Sequence, residues 1–338
     1  VGYEAMLANT TGALNVAVGS NALDANQTGA ANTAIGYNAL SAMTSDGSTA
    51  VGKDALELNT TGVNTAVGAN TLAAVTTGTQ NVAMGNDALT VNTGNNNTGV
   101  GYRSLISNTS GAGNTAVGKD SGYYVTTGTD NTYIGLAAGP NLNASTGSNN
   151  TAVGRSALRA ITSASNNTAV GQAALTSNTT GAQNTAVGRF SMEDNTTGIE
   201  NAALGYQSLY SSTTGAQNTA IGNYALFAAT TANNNTSIGY NSMGALTTGS
   251  QNVAVGRNAL AATTSSSNKT AVGYAAGSSG SGADSNSVYV GYEAGLNSTE
   301  SNHFIGYQAG RSTTNGFSNT VFGHQAFYHN TGGDIFFF

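Results

Sequence analysis

Residues 178–188 read NTTGAQNTAVG, and close copies of this uncharged stretch recur along the whole chain. Examples are TTGAQNTAIG at 213–222, NTSGAGNTAVG at 108–118 and NTTGVNTAVG at 59–68. Aligned on the glycine that ends AVG, here called the register glycine, the copies number twenty and are mostly 17 residues apart, within a range of 15 to 19. A fixed period of this length is typical of a solenoid, in which each copy packs mainly on its neighbours.

The composition is unusual for a soluble domain. Charged residues make up 7% of the chain, against roughly 25% in typical proteins, and there are 46 Gly and 1 Pro. With only 9 Lys and Arg, no basic patch supports nucleic-acid binding. No apolar run is long enough to insert into a membrane. The absence of Cys removes disulfides and thiolate metal sites and fits an extracellular protein that gains its stability in another way.

Each repeat has a fixed internal pattern. Asn stands four residues before the register glycine in 16 of 19 copies, Ala stands two before it in 13, and the residue directly before it is always apolar. Four residues after the glycine, fifteen copies have Leu, Met or Phe and five have Gly. This pattern predicts a strand at NTAV, a second short strand around AL, and a loop ending in TTG. Stacked Asn side chains are expected to hydrogen-bond along the solenoid. The glycine seven before the register glycine (Gly12, Gly111, Gly181, Gly215) is expected to supply a positive-φ corner.

The exceptional copies predict which side chains share an interior. Where the residue two before the register glycine is Tyr133, Tyr289 or Phe304, the residue four after it is Gly139, Gly295 or Gly310. Packed cores tolerate volume-conserving changes best, so the two positions are expected to face each other inside the coil. The intra-coil core is therefore predicted to contain Leu23, Leu40, Leu89, Leu158, Leu175, Leu209, Leu226 and Leu260.

The apolar residue directly before the register glycine must point away from that interior, because strand side chains alternate. The simplest way to bury this second apolar face is contact with an identical chain. A symmetric trimer is therefore expected. The predicted trimer-axis column is Val18, Ile35, Val67, Val117, Val153, Val187, Ile221, Val255 and Val272. Spacing of about 4.8 Å per coil predicts a rod of roughly 95 Å.

The fold class predicted is all-β: a β-solenoid or β-roll of about twenty coils of about 17 residues, with two short strands per coil, in a parallel homotrimer. Residues 1–338 are expected to form a single continuous repeat domain, with regular coils over 1–288. Aromatic-rich terminal coils and a cap are expected over 289–338, where 11 of the 24 aromatic residues lie, including Phe317 and Phe336–Phe338. Because the chain starts in mid-repeat at Val1, we expect it to be a piece of a longer protein.

The NTAVGxxA unit resembles the NSVAIGxxA repeat in the YadA-like heads of trimeric autotransporter adhesins. The forms at 59–76 and 302–310, the latter NHFIGYQAG, are similar to repeats in bacteriophage tail-fibre proteins. The resemblance covers nearly the whole chain and implies a trimeric left-handed β-roll. The period of about 17 departs from the shorter adhesin repeat, with the extra residues in the TTG loop.

Residues that could take part in catalysis or ligand binding are scattered along the chain. Glu193 and Asp194 are neighbours and favour a solvated surface pair over a glycosidase dyad, while Asp54, Asp87 and Asp120 lie in separate copies. His303, His324 and His329 form no metal-ligand motif. Tyr follows the register glycine in eight copies, which favours packing between coils over a sugar-binding row. No catalytic, cofactor or metal residues are predicted.

The function predicted is the non-enzymatic structural shaft of an extracellular trimeric fibre that presents a receptor-binding module for host attachment. Its partners would be further copies of itself, adjoining fibre segments and a cell-surface glycan or receptor. The NTTG and FIGYQAG variants favour a phage tail fibre, and the alternative is a bacterial surface adhesin head that binds glycans or matrix. A polysaccharide hydrolase is a remote alternative. An ice-binding protein is another, disfavoured because the strand Thr shares its face with the apolar column.

Overall fold

The structure is a computed structural model that describes residues 1–279, 285–299, 301–313 and 318–330. The chain divides into two compact units, Val1–Asn166 and Asn167–Phe338. Each unit is a parallel β-solenoid of coils of about 17 residues, so the predicted all-β solenoid is confirmed. The described residues contain no α-helix, and hence none that could cross a membrane. Phe317 and Phe336–Phe338, assigned above to the terminal cap, lie outside the described residues.

The strands of each unit are short, parallel and in register, with one repeat pairing with the equivalent residues of the next, as Val16–Val18 does with Thr33–Ile35. In the first unit they are β1 (Val16–Val18), β2 (Thr33–Ile35), β3 (Thr49–Val51), β4 (Thr65–Val67), β5 (Val82–Met84), β6 (Thr98–Val100), β7 (Thr115–Val117), β8 (Thr132–Ile134) and β9 (Thr151–Val153). In the second they are β10 (Thr168–Val170), β11 (Thr185–Val187), β12 (Ala202–Leu204), β13 (Thr219–Ile221), β14 (Thr236–Ile238), β15 (Val253–Val255), β16 (Thr270–Val272), β17 (Val288–Val290), β18 (His303–Ile305) and β20 (Thr320–Phe322). A separate two-stranded pair joins β19 (Ser312–Thr313) to β21 (His329–Asn330).

Each regular coil contains one strand, so the prediction of two short strands per coil is wrong. The segment around AL forms turns in which the second and fourth residues after the register glycine have left-handed φ, as at Asn21 (54°) and Leu23 (55°). Ala22 and Leu23 are both fully buried although they are consecutive. A strand would expose one of the two, because its side chains alternate. In the turn, residues with positive φ alternate with residues with negative φ, and this directs the side chains of both Ala22 and Leu23 inward.

The glycines seven residues before the register glycine do not have positive φ, so that prediction is also wrong for Gly12, Gly111, Gly181 and Gly215. Glycine is required at these positions because the backbone of the next coil approaches too closely to leave room for a side chain. A Cβ at Gly181 would lie 2.5 Å from Asn178 Oδ1 and would overlap the Gly198 carbonyl oxygen of the next coil. The positive φ belongs to the register glycines, where it ranges from 125° to 144°.

The predicted hydrogen bonding along the column of Asn residues before each strand is confirmed. The buried Asn201 donates from its backbone N–H (3.0 Å) and from Nδ2 (3.1 Å) to Asn184 Oδ1 in the preceding coil. Its Nδ2 also donates to the Gly215 carbonyl in the following coil at 2.8 Å. Each side chain thus joins three coils and satisfies backbone groups that the short strands leave unpaired.

A second buried Asn column, which the sequence pattern did not reveal, lies at the start of the TTG loop. Asn195 Nδ2 donates to Asn178 Oδ1 at 2.8 Å and to the Gly198 carbonyl at 3.2 Å. This column is interrupted by other residues, such as Met43 after Asn26. The Oδ1 atoms at the ends of its runs, those of Asn26, Asn59, Asn108 and Asn195, have no hydrogen-bond partner. An unpaired buried acceptor costs about 1–3 kcal/mol, so each interruption is a weak point of the stack.

The predicted volume exchange inside the coil is confirmed and extends to two coils. A Cβ at Gly139 would lie 2.6 Å from Tyr133 Cγ, and Cβ atoms at Gly295 and Gly310 would overlap Tyr289 and Phe304. The remaining two glycines at this position, Gly122 and Gly277, lie in the coils that precede Tyr133 and Tyr289. Their Cβ atoms would come within 3.1 Å and 2.6 Å of those rings. Tyr133 and Tyr289 each therefore occupy the space of two leucines, and with Phe304 against Gly310 the three rings account for all five glycines.

We expect Gly139→Leu to lower the free energy of unfolding by about 3 kcal/mol, because the new side chain would overlap the Tyr133 ring. Tyr133→Ala combined with Gly139→Leu restores the usual Ala–Leu pair and should recover most of that loss. A double-mutant cycle by urea unfolding measures the coupling. Losses that simply add would contradict the shared-space interpretation.

We expect Asn201→Ala to lower the free energy of unfolding by about 2–3 kcal/mol, because it leaves the Gly215 carbonyl and the Asn218 N–H without partners. Asn201→Ser should cost less, since Ser48 at the equivalent position bonds both the Gly62 carbonyl and the Asn64 N–H. The control is Gln217→Ala, whose amide makes one exposed hydrogen bond to Glu200. Equal losses for Asn201→Ala and the control in thermal unfolding would show that the column contributes little.

Candidate functional site

The outer face of the strands, formed by the first and third residue of each three-residue strand, is a surface feature that repeats in both units. In the second unit the middle residues, such as Ala169 and Ala186, are fully buried against the coil interior. The flanking residues point outward, and parallel in-register pairing places each above its equivalent in the neighbouring coil, as with Val170 and Val187. Paired strands lie about 4.8 Å apart, so the side chains form continuous columns.

The predicted trimer-axis column lies on this outer face. Val18 is 43% exposed and Ile35 is 39% exposed, and Val117, Ile221 and Val272 are similarly exposed. Val67, Val153, Val187 and Val255 are half-buried. Much of their coverage is explained by the equivalent side chain in the neighbouring coil, since neighbours are about 4.8 Å apart. The column is therefore outside the coil's own core.

The predicted intra-coil core residues lie on the opposite side of the strand, in the interior of each coil. All of them are fully buried: Leu23, Leu40, Leu89, Leu158, Leu175, Leu209, Leu226 and Leu260. Serines preceding this position add hydrogen bonds between coils, as Ser191 Oγ does by donating to the Ala203 carbonyl at 3.3 Å. The chain thus has a buried interior that contains these leucines and, separately, an outer face with exposed aliphatic side chains.

Charge is excluded from the outer face. None of the three-residue strands β1–β18 and β20 contains Asp, Glu, Lys or Arg, although the chain has 24 such residues. Their outward side chains are mainly Thr at the first position and Val or Ile at the third, with Met84, Leu204 and Phe322 as larger members. Contiguous exposed apolar patches of more than a few hundred Å² mark interaction surfaces in soluble proteins. The outer face of both units repeats exposed aliphatic side chains without charge and is therefore a candidate for such a surface.

The tyrosines that follow the register glycine pack along the second unit. The rings of Tyr274, Tyr292, Tyr307 and His324 stack with centroids 5.0–5.3 Å apart and interplanar angles of 11–12°. The Arg257 guanidinium lies 6.0 Å from the Tyr274 ring. The expected packing between coils is confirmed for these residues. Because neighbouring rings cover each other's faces, this column leaves ring edges rather than faces for a ligand.

A different aromatic arrangement lies on the coils around Tyr224. The Tyr224 ring makes edge-to-face contacts with Tyr206 (5.4 Å), Phe227 (5.8 Å) and Tyr240 (5.8 Å). Tyr240 is exposed and the other three side chains are half-buried. Phe190 and Tyr210 extend the group, which we call the six-ring cluster: Phe190, Tyr206, Tyr210, Tyr224, Phe227 and Tyr240.

Two half-buried carboxyls adjoin the six-ring cluster. Burial raises the pKa of the Glu193 carboxyl above its usual range, and the hydrogen bond from Tyr210 opposes that rise. Burial also raises the pKa of Asp194. The interaction is mutual, since burial and the nearby Glu193 raise the pKa of Tyr210. The structure thus places this loop pair beside aromatic rings, a setting suited to binding polar ligands with an apolar face.

The three aspartates two residues after the register glycine have local roles. All have left-handed φ, which Asp and Asn tolerate better than most residues. Asp54 accepts a hydrogen bond from Asn38 at 3.1 Å, Asp87 accepts one from Asn70 at 2.9 Å, and Asp120 pairs with Arg103 at 2.9 Å. They lie apart and form no joint site.

The histidines are separated as well. His303 begins β18, His324 stacks on Tyr307, and His329 lies against Tyr328 at 4.5 Å. Within residues 1–279, 285–299, 301–313 and 318–330, no three His, Asp or Glu side chains come together in a way that could hold a metal ion.

Threonines of the TTG loop use their hydroxyls inside the chain. Thr196 Oγ1 donates to the Thr213 carbonyl at 2.9 Å, and Thr213 Oγ1 donates to the Thr230 carbonyl at 3.2 Å. The strand threonines instead share the outer face with Val and Ile, as expected from the alternation of strand side chains. The repeated Thr pairs therefore serve mainly to hydrogen-bond each coil to the next.

Comparison of the chain with protein-family models, with curated proteins and with solved structures finds no match.

Proposed function

We propose that the chain is the structural shaft of an extracellular homotrimeric fibre, a phage tail fibre, which holds a receptor-binding module for host attachment. The observation that carries the proposal is the uncharged, aliphatic outer face of the strands. Covering the exposed remainder of each Val or Ile side chain is worth on the order of 1 kcal/mol. Because the column repeats in coil after coil, these small gains accumulate into a strong drive for association.

Identical copies are the occupant that fits this face best. Its columns repeat at the coil spacing, so a parallel copy in register presents an equal column at every level. In-register strand ladders and the Asn columns within each copy oppose bending and stretching, as a spacer requires. The resemblance of the NTTG and FIGYQAG forms to tail-fibre repeats supports the phage assignment. The continuous domain over residues 1–338 and the absence of enzymatic activity belong to the same proposal.

Sedimentation equilibrium of the purified full chain should give three times the mass of the 33.5 kDa chain. Val187→Glu, Leu204→Glu and Ile221→Glu together should increase the monomer fraction strongly, because each trimer would bury nine carboxylates near its axis. The matched control places the same charges on the exposed loop threonines of the same coils: Thr180→Glu, Thr197→Glu and Thr214→Glu. A folded wild-type monomer, or equal effects of the two triple variants, would contradict the proposal.

A second candidate function, the head of a bacterial adhesin that binds glycans or matrix, is favoured by the six-ring cluster. Partly exposed aromatic rings beside carboxyl groups can hold the apolar face and the hydroxyls of a sugar. If the cluster binds glycans, the full chain should give signals on a glycan array that Tyr224→Ala lowers at least about tenfold. Tyr292→Ala in the stacked column is the control and should leave the signals unchanged. An array without signals would remove this alternative.

A further inference from the structure

Two charged borders run along the outer face, one on each side of the strands. The basic flank is the residue directly after each register glycine. It contains five of the nine Lys and Arg residues and no Asp or Glu: Lys53, Lys119, Arg155, Arg189 and Arg257. The acidic flank is the residue pair that stands six and five positions before the register glycine. In the described coils its charged residues are Asp46, Asp130 and Glu200, and it contains no Lys or Arg.

All eight of these side chains are exposed. Their contacts within the chain stay on their own side of the outer face. Lys53 Nζ lies 3.3 Å from the adjacent Asp54, and the Arg189 guanidinium lies 4.4 Å from the Phe190 ring centroid. Glu200 accepts a hydrogen bond from Gln217 in the next coil. The basic flank itself contains no acid and the acidic flank no base, although Lys53 also pairs with the neighbouring Asp54.

The two flanks match level by level along the stack. Asp46 and Lys53 belong to the same repeat, and Glu200 lies one repeat after Arg189. Asp130 lies in the repeat between those of Lys119 and Arg155. Every acid described in the acidic flank thus has a base of the basic flank within one coil, or about 4.8 Å, along the axis.

Within one chain the flanks cannot meet, because the outward-facing strand separates them. Residues 46 and 53 flank β3 and are about 20 Å apart along an extended backbone. A ring of copies whose outer faces point toward a common axis changes this. Each copy then has a neighbour on either side, and the contact is heterologous: the border on one side of a copy meets the opposite border of the next.

We propose that the basic flank of each copy lies against the acidic flank of the next copy around the axis, an inference that rests on the proposed trimer. The partner is a second copy of this chain, and the pairs are Lys53 with Asp46, Arg189 with Glu200, and Lys119 and Arg155 with Asp130. Exposed ion pairs add little affinity individually. Their role here is to specify the arrangement.

These pairs specify which flank of one copy meets which flank of the next, and they do not by themselves fix the axial register. A column of near-identical Val and Ile residues fits its partner almost equally well after a slip of one coil, so burial alone specifies register weakly. Charges occur in only a few repeats. A slip of three coils would replace these pairs with Asp130–Arg189 and Glu200–Arg257, so the charges distinguish the basic flank from the acidic one rather than one level from another.

Cysteine crosslinking of the full chain tests the arrangement, because the natural chain contains no Cys. Under mild oxidation, the double variants Asp46→Cys with Lys53→Cys, and Arg189→Cys with Glu200→Cys, should form covalent dimers and trimers on a non-reducing gel. Each single variant should remain uncrosslinked. Lys53→Cys with Asp130→Cys, which lie five repeats apart, is the control for slippage and should also remain uncrosslinked.

The outcomes separate this inference from the proposed shaft. Crosslinked trimers from both matched pairs, with no crosslinking of the single variants or of the slippage control, support the flank pairing. Crosslinking of single variants, which needs like flanks in contact, would overturn it, and so would crosslinking of the slippage control. A trimer by sedimentation whose matched pairs do not crosslink would overturn the flank pairing and leave the trimeric shaft standing. A folded monomer by sedimentation would overturn both.

Discussion

The close stacking of one register glycine on the next is the constraint on which this structure depends. A Cβ at Gly205 would lie 2.6 Å from the carbonyl carbon of Gly222, and the Gly205 φ of 137° is unfavourable for any residue with a side chain. This contact fixes one coil directly above the next. The strand ladder, the Asn columns and the interior leucines then fall into register, since each coil has nearly the same length. The uninterrupted repetition of this glycine follows from geometry.

Much of the architecture could be read from the sequence because it is periodic. The period predicts the solenoid, the repeated Asn predicts the hydrogen-bonded column, and the exchange of Tyr133 with Gly139 predicts a shared interior. The turn around Leu23 could not be predicted in the same way, because leucine rarely adopts a left-handed φ and does so here only between neighbouring coils. Two signals were available: the recurrent Asn or Asp two residues after the register glycine, and the consecutive small and Leu residues, which a strand could not bury together.

The candidate site was predictable in part for a related reason. Strand alternation is enough to place Val18 and its equivalents outside the coil's own core, where they lie. Whether anything covers them is a property of an assembly, which the periodicity of one chain does not describe. The sequence could not decide whether the tyrosines after the register glycines form a sugar-binding row. The stacking of Tyr274 on Tyr292 depends on the coil spacing, which the structure supplies. The edge-to-face packing at Tyr224 arises where aromatics occupy two adjacent positions.

The left-handed leucines have a consequence for how such a chain acquires its structure. Each strained residue costs roughly 1–2 kcal/mol in isolation, and Leu23 is held by a hydrogen bond to Ala39 of the next coil and by burial. A lone repeat has neither support. Folding should therefore resemble the growth of a crystal, with a slow nucleus of adjoining turns followed by rapid addition at its ends, each finished turn serving as the template for the next.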